Sequence, residues 1–206
     1  MLTIYGRANS INVRKVLWLC EDIGLAFERH DYGRGFQDTD TPEFRKLNPN
    51  ALVPTIVDGD TVMWESNTIM RYLAAKHGPA ELYPADLEAR ALIDQWLDWQ
   101  LATLQPAMAA LFHGKFLKNP DFSEAQIEAS RTRTAELFEI LNGQLEKTGA
   151  WVAGAGCTIA DMAVGPAVHR FFTLAPELPR PAAVDAYYDR ITERPGCRKY
   201  VRIDIP

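Results

Sequence analysis

The strongest constraint on this chain is the point at which its strand-like segments stop. Before Gly78, short alternating runs take turns with helical ones. After the stretch from Gly78 to Asp86, which carries Pro79 and Pro84, no strand-like alternation returns. Segregation of this kind predicts α/β structure followed by all-α structure: a first unit over residues 1–78, a connector at 79–86 and an all-helical unit over 87–206. The chain has 206 residues, 47% of them hydrophobic, enough to give both units a core.

Within the first unit, Leu2 to Tyr5 reads as a strand. From Ser10, the spacing of Val13, Val16, Leu17 and Cys20 is helical and stops at Gly24. Ala26 to Tyr32 reads as a second strand, and a strand reached through a helix in so short a span implies a parallel βαβ unit. A loop from Gly33 to Asp40 follows, then a short helix opened by Thr41-Pro42. Leu52 to Val57 and Thr61 to Trp64 flank Asp58-Gly59, a hairpin signal. Ser66 or Asn67 can cap a helix through Ile69, Met70, Leu73 and Ala74.

In the second unit, Leu92, Trp96 and Trp99 sit at helical spacing in a long helix expected from Leu87 to about Leu111, kinked by Pro106. Ser123-Glu124-Ala125-Gln126 is a capping box, with Phe122 and Ile127 placed as a hydrophobic staple, and it opens a helix to about Lys147. Thr158-Ile159-Ala160-Asp161 uses the same logic to open a mostly apolar helix toward Phe172. Gly165-Pro166 should kink that helix, and Pro181 to Arg194 is expected to be the last one.

Composition narrows the partners. The net charge of −5 is spread along the chain, which argues against nucleic acid and against an anionic membrane. The three cysteines form no CxxC and no metal-ligand spacing with the four histidines, so neither a disulfide framework nor a metal site is expected. The opening residues enter a strand-like run with no charged leader and no membrane-length apolar stretch, which predicts a cytoplasmic protein.

Four segments carry a resemblance over essentially the whole chain: Ser10-Ile11-Asn12-Val13, Asn48-Pro49-Asn50-Ala51-Leu52-Val53-Pro54, Trp64-Glu65-Ser66-Asn67 and Thr158-Ile159-Ala160-Asp161. In this order and spacing, the sequence resembles cytosolic glutathione transferases, bacterial members related to the theta and nu classes. The resemblance implies a thioredoxin-like first unit that binds glutathione as co-substrate, a helical second unit that covers a small apolar electrophile, and a homodimer in which the first unit faces the partner's second. It also implies a cis peptide bond before Pro54.

The chemistry can be built from the residues. A free thiol has a pKa of about 8.5, so only ~3% is thiolate at neutral pH, and the thiolate is the nucleophile. Lowering that pKa by about two units costs about 2.7 kcal/mol of differential stabilisation. A Ser10 hydroxyl donating to sulfur, helped by the open amides of the helix start, can supply it. Ser10 could equally be a plain helix cap, and the Asn12 amide could donate instead. Tyr5, which stands where other classes use a tyrosine, is expected in the core.

Glutathione must also be held by its ends. Glu65-Ser66 at a helix start suits the γ-glutamyl carboxylate; either residue could instead serve only the helix. Val53, freed from the ladder by Pro54, can pair its backbone with an extended peptide. At the glycyl end the chain departs from the resemblance, because Ala51 and Leu52 replace polar clamps. Gln37 is the first candidate to compensate, ahead of Arg34 and Asn50. An apolar co-substrate site is expected between Arg7, Phe36 and the residues after the Pro106 kink, namely Met108, Leu111, Phe112, His113 and Phe116, with Phe172 close by. Thiolate transfer is the leading function. Glutathione-dependent disulfide or peroxide reduction, and a non-catalytic binding module, are the alternatives.

Overall fold

The computed structural model describes residues 1–203. Four strands, β1 (Leu2–Tyr5), β2 (Phe27–His30), β3 (Thr55–Asp58) and β4 (Thr61–Trp64), form one sheet in the order β2-β1-β3-β4. β1 pairs parallel with β2, Tyr5 opposite His30, and antiparallel with β3, Tyr5 opposite Thr55. Helix α1 (Ile11–Asp22) is the crossover that makes the first pair parallel. Its Val13, Val16 and Leu17 are fully buried together with Ile4 and Ile56 of the sheet. β2 is shorter than Ala26 to Tyr32, because the chain turns away at Asp31. Tyr32 then forms an isolated bridge with Gln37, and its carbonyl accepts from the Arg7 amide at 3.1 Å.

The hairpin forms as expected, with Gly59 at a φ of 61° in a two-residue turn between Asp58 and Thr61. α2 (Pro42–Leu47) is capped by Thr41, whose hydroxyl accepts from the Phe44 amide. Phe44 stacks on Tyr32, with ring centroids 5.0 Å apart, and meets the edge of Tyr5. Tyr5 is therefore half-buried in an aromatic cluster on the sheet rather than in the core where it was expected. α3 (Ser66–His77) closes this unit beside α1.

Residues 79–86 are docked rather than loose: Leu82 and Tyr83 are buried, and the Leu82 carbonyl accepts from the Ile159 amide. Beyond them come α4 (Leu87–Trp99), α5 (Gln105–Ala107), α6 (Glu124–Thr148), α7 (Ile159–Leu174), α8 (Ala182–Thr192) and α9 (Pro195–Tyr200). Both capping boxes form. Phe122 and Ile127 close together over Gly114, where an added Cβ would lie 2.5 Å from Ile127.

The long helix expected to run to Leu111 does not. Its α-helical bonding is interrupted instead by wider π turns at Gln100–Leu104 and Leu111–Phe116, with the short α5 between them. Pro106 has no N–H to contribute, and the ladder slips in the turn before it, so that the Gln105 amide donates to the Gln100 carbonyl five residues back. Leu92 is 54% exposed rather than core. α7 continues through Pro166. Gly165 there is a packing feature: an added Cβ would lie 2.8 Å from the Trp18 ring.

α9 lies beyond the last expected helix. Its start is built by α1: Asp22 accepts from the Gly196 amide at 2.8 Å and from Arg194 at 2.7 Å, while also accepting from the Trp18 indole. One continuous apolar core results, running from the sheet through α1 into α7, α8 and α9.

Candidate functional site

Where β1 ends and α1 begins, the chain faces the π turns across a cavity of about 630 Å³. Ser10, Asn12, Arg7 and Val53 line it from the sheet side, and Phe112 and Phe116 from the helical side. These six residues, singled out from sequence, therefore meet in one place. Gln37, Pro54, Glu65 and Ser66 lie outside the lining.

Ser10 stands at the N-cap position of α1 in extended conformation, yet its side chain makes no capping hydrogen bond. The side chain is therefore not spent on capping, and the hydroxyl borders the cavity, 9% of the residue being exposed. Asn12, two residues on, presents a buried Oδ1 with no hydrogen-bond partner in the structure. A buried amide without its bonds is costly, and one beside an open cavity is placed for a ligand.

The Val53–Pro54 peptide is cis. β3 begins only at Thr55, so the Val53 backbone lies outside the sheet ladder at the cavity edge. Leu52 also lines the cavity and is 63% exposed. At α3 neither Ser66 nor Asn67 is the cap. Glu65 holds that position with a φ of 71°, left-handed backbone unusual for a residue with a long side chain. Strain of this kind persists where the surroundings over-determine it, and it concentrates at binding sites. Ser66 follows, buried, at the first position of the helix.

Gln37 is exposed in the loop after β2. Asn50 spends its amide on Asn48, at 3.2 Å. Arg34 is the residue of that group that reaches the cavity. The apolar wall is narrower than expected: Met108 and His113 join Phe112 and Phe116, whereas Phe36 is not among the lining residues, and Leu111 and Phe172 are buried in the core. Phe112 and Phe116 stack with centroids 5.6 Å apart.

The π turns also bring in residues that the sequence gave no local reason to choose, such as Gln100, Leu101 and Gln105. Arg170 is another, and it had a signal: a lone arginine within an otherwise apolar stretch of α7. Its guanidinium lies 3.9 Å over the Phe112 ring. Burial, and then the nearby Arg14, Arg7 and Arg34, pushes it down to about 9, which leaves it charged at neutral pH. His113 is pushed down by burial and by Arg34 and Arg170, and so is neutral in this cationic setting.

None of the three cysteines lines the cavity, and burial pushes Cys20 and Cys197 up to about 12. Among the described residues no helix is long and apolar enough to cross a membrane, and no group of three or more His, Cys, Asp or Glu is placed to hold a metal ion.

With a hydroxyl and an amide at a helix start, a strand edge opened before a cis proline, and a half-apolar chamber roofed by helices, fold and sequence point to one family. The chain belongs to the glutathione S-transferase family: its residues 9–76 match that family's N-terminal domain and residues 124–202 its C-terminal domain. It is 36% identical to glutathione S-transferase GstB of Escherichia coli K12, over 100% of both chains. Among solved structures it is similar to a theta class glutathione S-transferase of Xanthomonas axonopodis pv. citri with glutathione bound. That likeness has a TM-score of 0.92 and 37% identity, covering 100% of this chain and 99% of that one. A delta-class glutathione transferase of Nilaparvata lugens is similar at a TM-score of 0.85 and 28% identity, covering 97% and 92%.

Proposed function

We propose that this protein is a glutathione S-transferase that ionises the glutathione thiol beside Ser10 and directs the thiolate at an electrophilic carbon of a small, largely apolar co-substrate. The observation that carries the reading is the Ser10 hydroxyl, unused by its own helix and opening on the same cavity as Phe112 and Phe116. The hydroxyl donates to sulfur, and the first amides of α1 and the neighbouring guanidiniums favour the anion. The thiol proton leaves to solvent, the carbon–sulfur bond forms, and the leaving group departs with its electron pair. Proximity supplies the rest of the rate.

Glutathione lies along the edge before β3, paired with the Val53 backbone beside Pro54. Its γ-glutamyl carboxylate sits at Glu65-Ser66, a reading supported by the strained backbone of Glu65. Gln37 takes the glycyl end. Arg7, Phe112 and Phe116 face the co-substrate. Residues 1–78 serve as the glutathione-binding unit, 79–86 as the connector and 87–206 as the co-substrate unit, in a cytoplasmic homodimer. Exposed Val62 and Trp64 on β4 and Leu87 and Leu92 on α4 support the dimer, since each unit then offers an apolar patch to the other copy.

Asn12 in the same cavity favours a second reading, glutathione-dependent disulfide or peroxide reduction through an amide-bound thiolate. The distance of every cysteine from the lining argues against a mixed disulfide on the protein. Retention on immobilised glutathione, with turnover of chlorodinitrobenzene against a hydroperoxide, tests the proposal. Absence of retention overturns both readings, faster turnover of the hydroperoxide selects the second, and retention without turnover leaves a binding module. A sizing measurement that finds only monomer removes the dimer.

A further inference from the structure

The cavity has a charge that an apolar co-substrate does not use. Its lining holds Arg7, Arg34 and Arg170 and, among the described residues, no Asp or Glu. Arg7, just after β1, and Arg34, in the turn after β2, both line it, and Arg7 runs along that turn. Gly33 has a φ of 97°, and a Cβ there would come within 3.4 Å of Arg7 Nε. Burial, and then the charge of Arg34, pulls Arg7 down.

Arg7 spends one Nη1 hydrogen bond on Asn9 Oδ1 at 2.9 Å, while its Nε is buried with no partner in the structure. Neither Arg7 nor Arg34 forms an ion pair with a carboxylate among the described residues. Two guanidiniums lining one open cavity, with no carboxylate among the described residues of that lining, suit a planar anion. Opposite them lies the stacked Phe112–Phe116 pair, with Phe116 41% exposed, a flat apolar surface the size of a ring.

We propose that the co-substrate is an aromatic electrophile bearing a carboxylate, its carboxylate held by Arg7 and Arg34 and its ring laid against Phe112 and Phe116. The inference rests on the transferase reading above and names the substrate class of that site. With a chloronitrobenzoate, the glutathione sulfur bonds to the ring carbon that bears chlorine, chloride leaves with the bonding pair, and the carboxylate passes through unchanged as the handle.

The test compares a chloronitrobenzoate whose chlorine is ortho to the nitro group with its methyl ester, which has the same ring and leaving group and lacks the charge. The full-length protein should show a kcat/KM for the acid about tenfold or more above the ester, each corrected for its uncatalysed rate, as expected for one charge-assisted contact. In Arg34→Gln the ratio should fall toward one, and Arg34→Lys should restore part of it. Because Arg34 is exposed, this variant carries little risk to folding.

An ester turned over as well as the acid in the wild type overturns the proposal. So does an Arg34→Gln protein that keeps the ratio and raises only the KM for glutathione, which would give Arg34 to the glycyl carboxylate. A calorimetric titration with an unreactive nitrobenzoate and nitrobenzamide, with and without S-methylglutathione, separates the two levels of the reading. If nothing turns over, the transferase reading fails. Tighter binding of the benzoate then still supports the arginine assignment, and equal binding sinks it.

Discussion

The Nζ of Lys15 lies 2.6 Å from Oε1 of Gln100, fully buried, and 3.4 Å from Oδ1 of Asn67. Through this contact α1, the start of α3 and the first π turn share one buried cation. Burial, and then Arg170, lowers Lys15 from 10.5 to about 7, partly opposed by Glu65. A folded-state value below the unfolded one means that between pH 7 and 10.5 the unfolded chain holds a proton that the folded chain has released. Stability contributed by this group therefore rises with pH across that window, by up to about 1.4 kcal/mol per pH unit. Denaturant unfolding of the wild type at several pH values inside the window should show the rise, and Lys15→Met should flatten it.

The thiolate site carries a kinetic prediction. Ser10→Ala removes a charge-assisted donor and should raise the pKa of bound glutathione by about one to two units, lowering kcat at neutral pH by roughly tenfold to a hundredfold. Ultraviolet absorbance of the bound thiolate against pH reads the shift directly. If Asn12 is the donor, Asn12→Ala shows the larger shift and Ser10→Ala the smaller.

Asp161 closes the second capping box from full burial, accepting from the backbone amides of Val152 at 2.9 Å and Thr158 at 2.8 Å. Asp161→Ala would strand both amides and open α7, at a cost of about 2–4 kcal/mol. Asp161→Asn, which keeps an acceptor, should lose less. Desolvation pushes Asp161 up to about 6 from 3.8. Its part of the stability is therefore fully present below pH 3.8 and is lost as pH rises through about 6, so the gap between wild type and Asp161→Asn should narrow between those two values and stay level above them. Thermal unfolding at two pH values measures both.

Gly196 leaves no room for a side chain, since a Cβ there would meet the Trp18 carbonyl oxygen at 2.4 Å. Gly196→Ala forces α9 off α1 and disturbs the amide held by Asp22, costing about 1–3 kcal/mol. The readout is a fall in Tm. Unchanged stability would mean that α9 contributes little to the shared core.

Much of this architecture was legible because the signals are local. Gly59 marks the hairpin, Thr41-Pro42 opens α2, and Ser123 and Thr158 each meet their box partner three residues on. Such cues act within one or two turns of backbone. The misreadings are equally physical. Pro106 correctly warned of a broken helix, but the slip falls in the turn before it, where the ladder first runs short of donors. α9 was invisible because its N-terminal acceptor, Asp22, lies 174 residues away along the chain.

The same division holds at the site. Ser10, Asn12 and Val53 could be chosen from sequence because a helix start and a proline-bounded strand edge are local features. Arg7 and Arg34 could be named as candidates too, but not as partners: they stand 27 positions apart, and only the fold brings both to one cavity whose lining, among the described residues, holds no Asp or Glu. The sequence by itself determined the strand-helix order of the first unit, the caps at Thr41, Ser123 and Thr158 and the helix start at Ser10, because backbone propensity and capping are decided among near neighbours. Only the tertiary structure decided which side chains share the cavity and what charge it carries, because burial and Coulomb interactions depend on distance through space rather than along the chain.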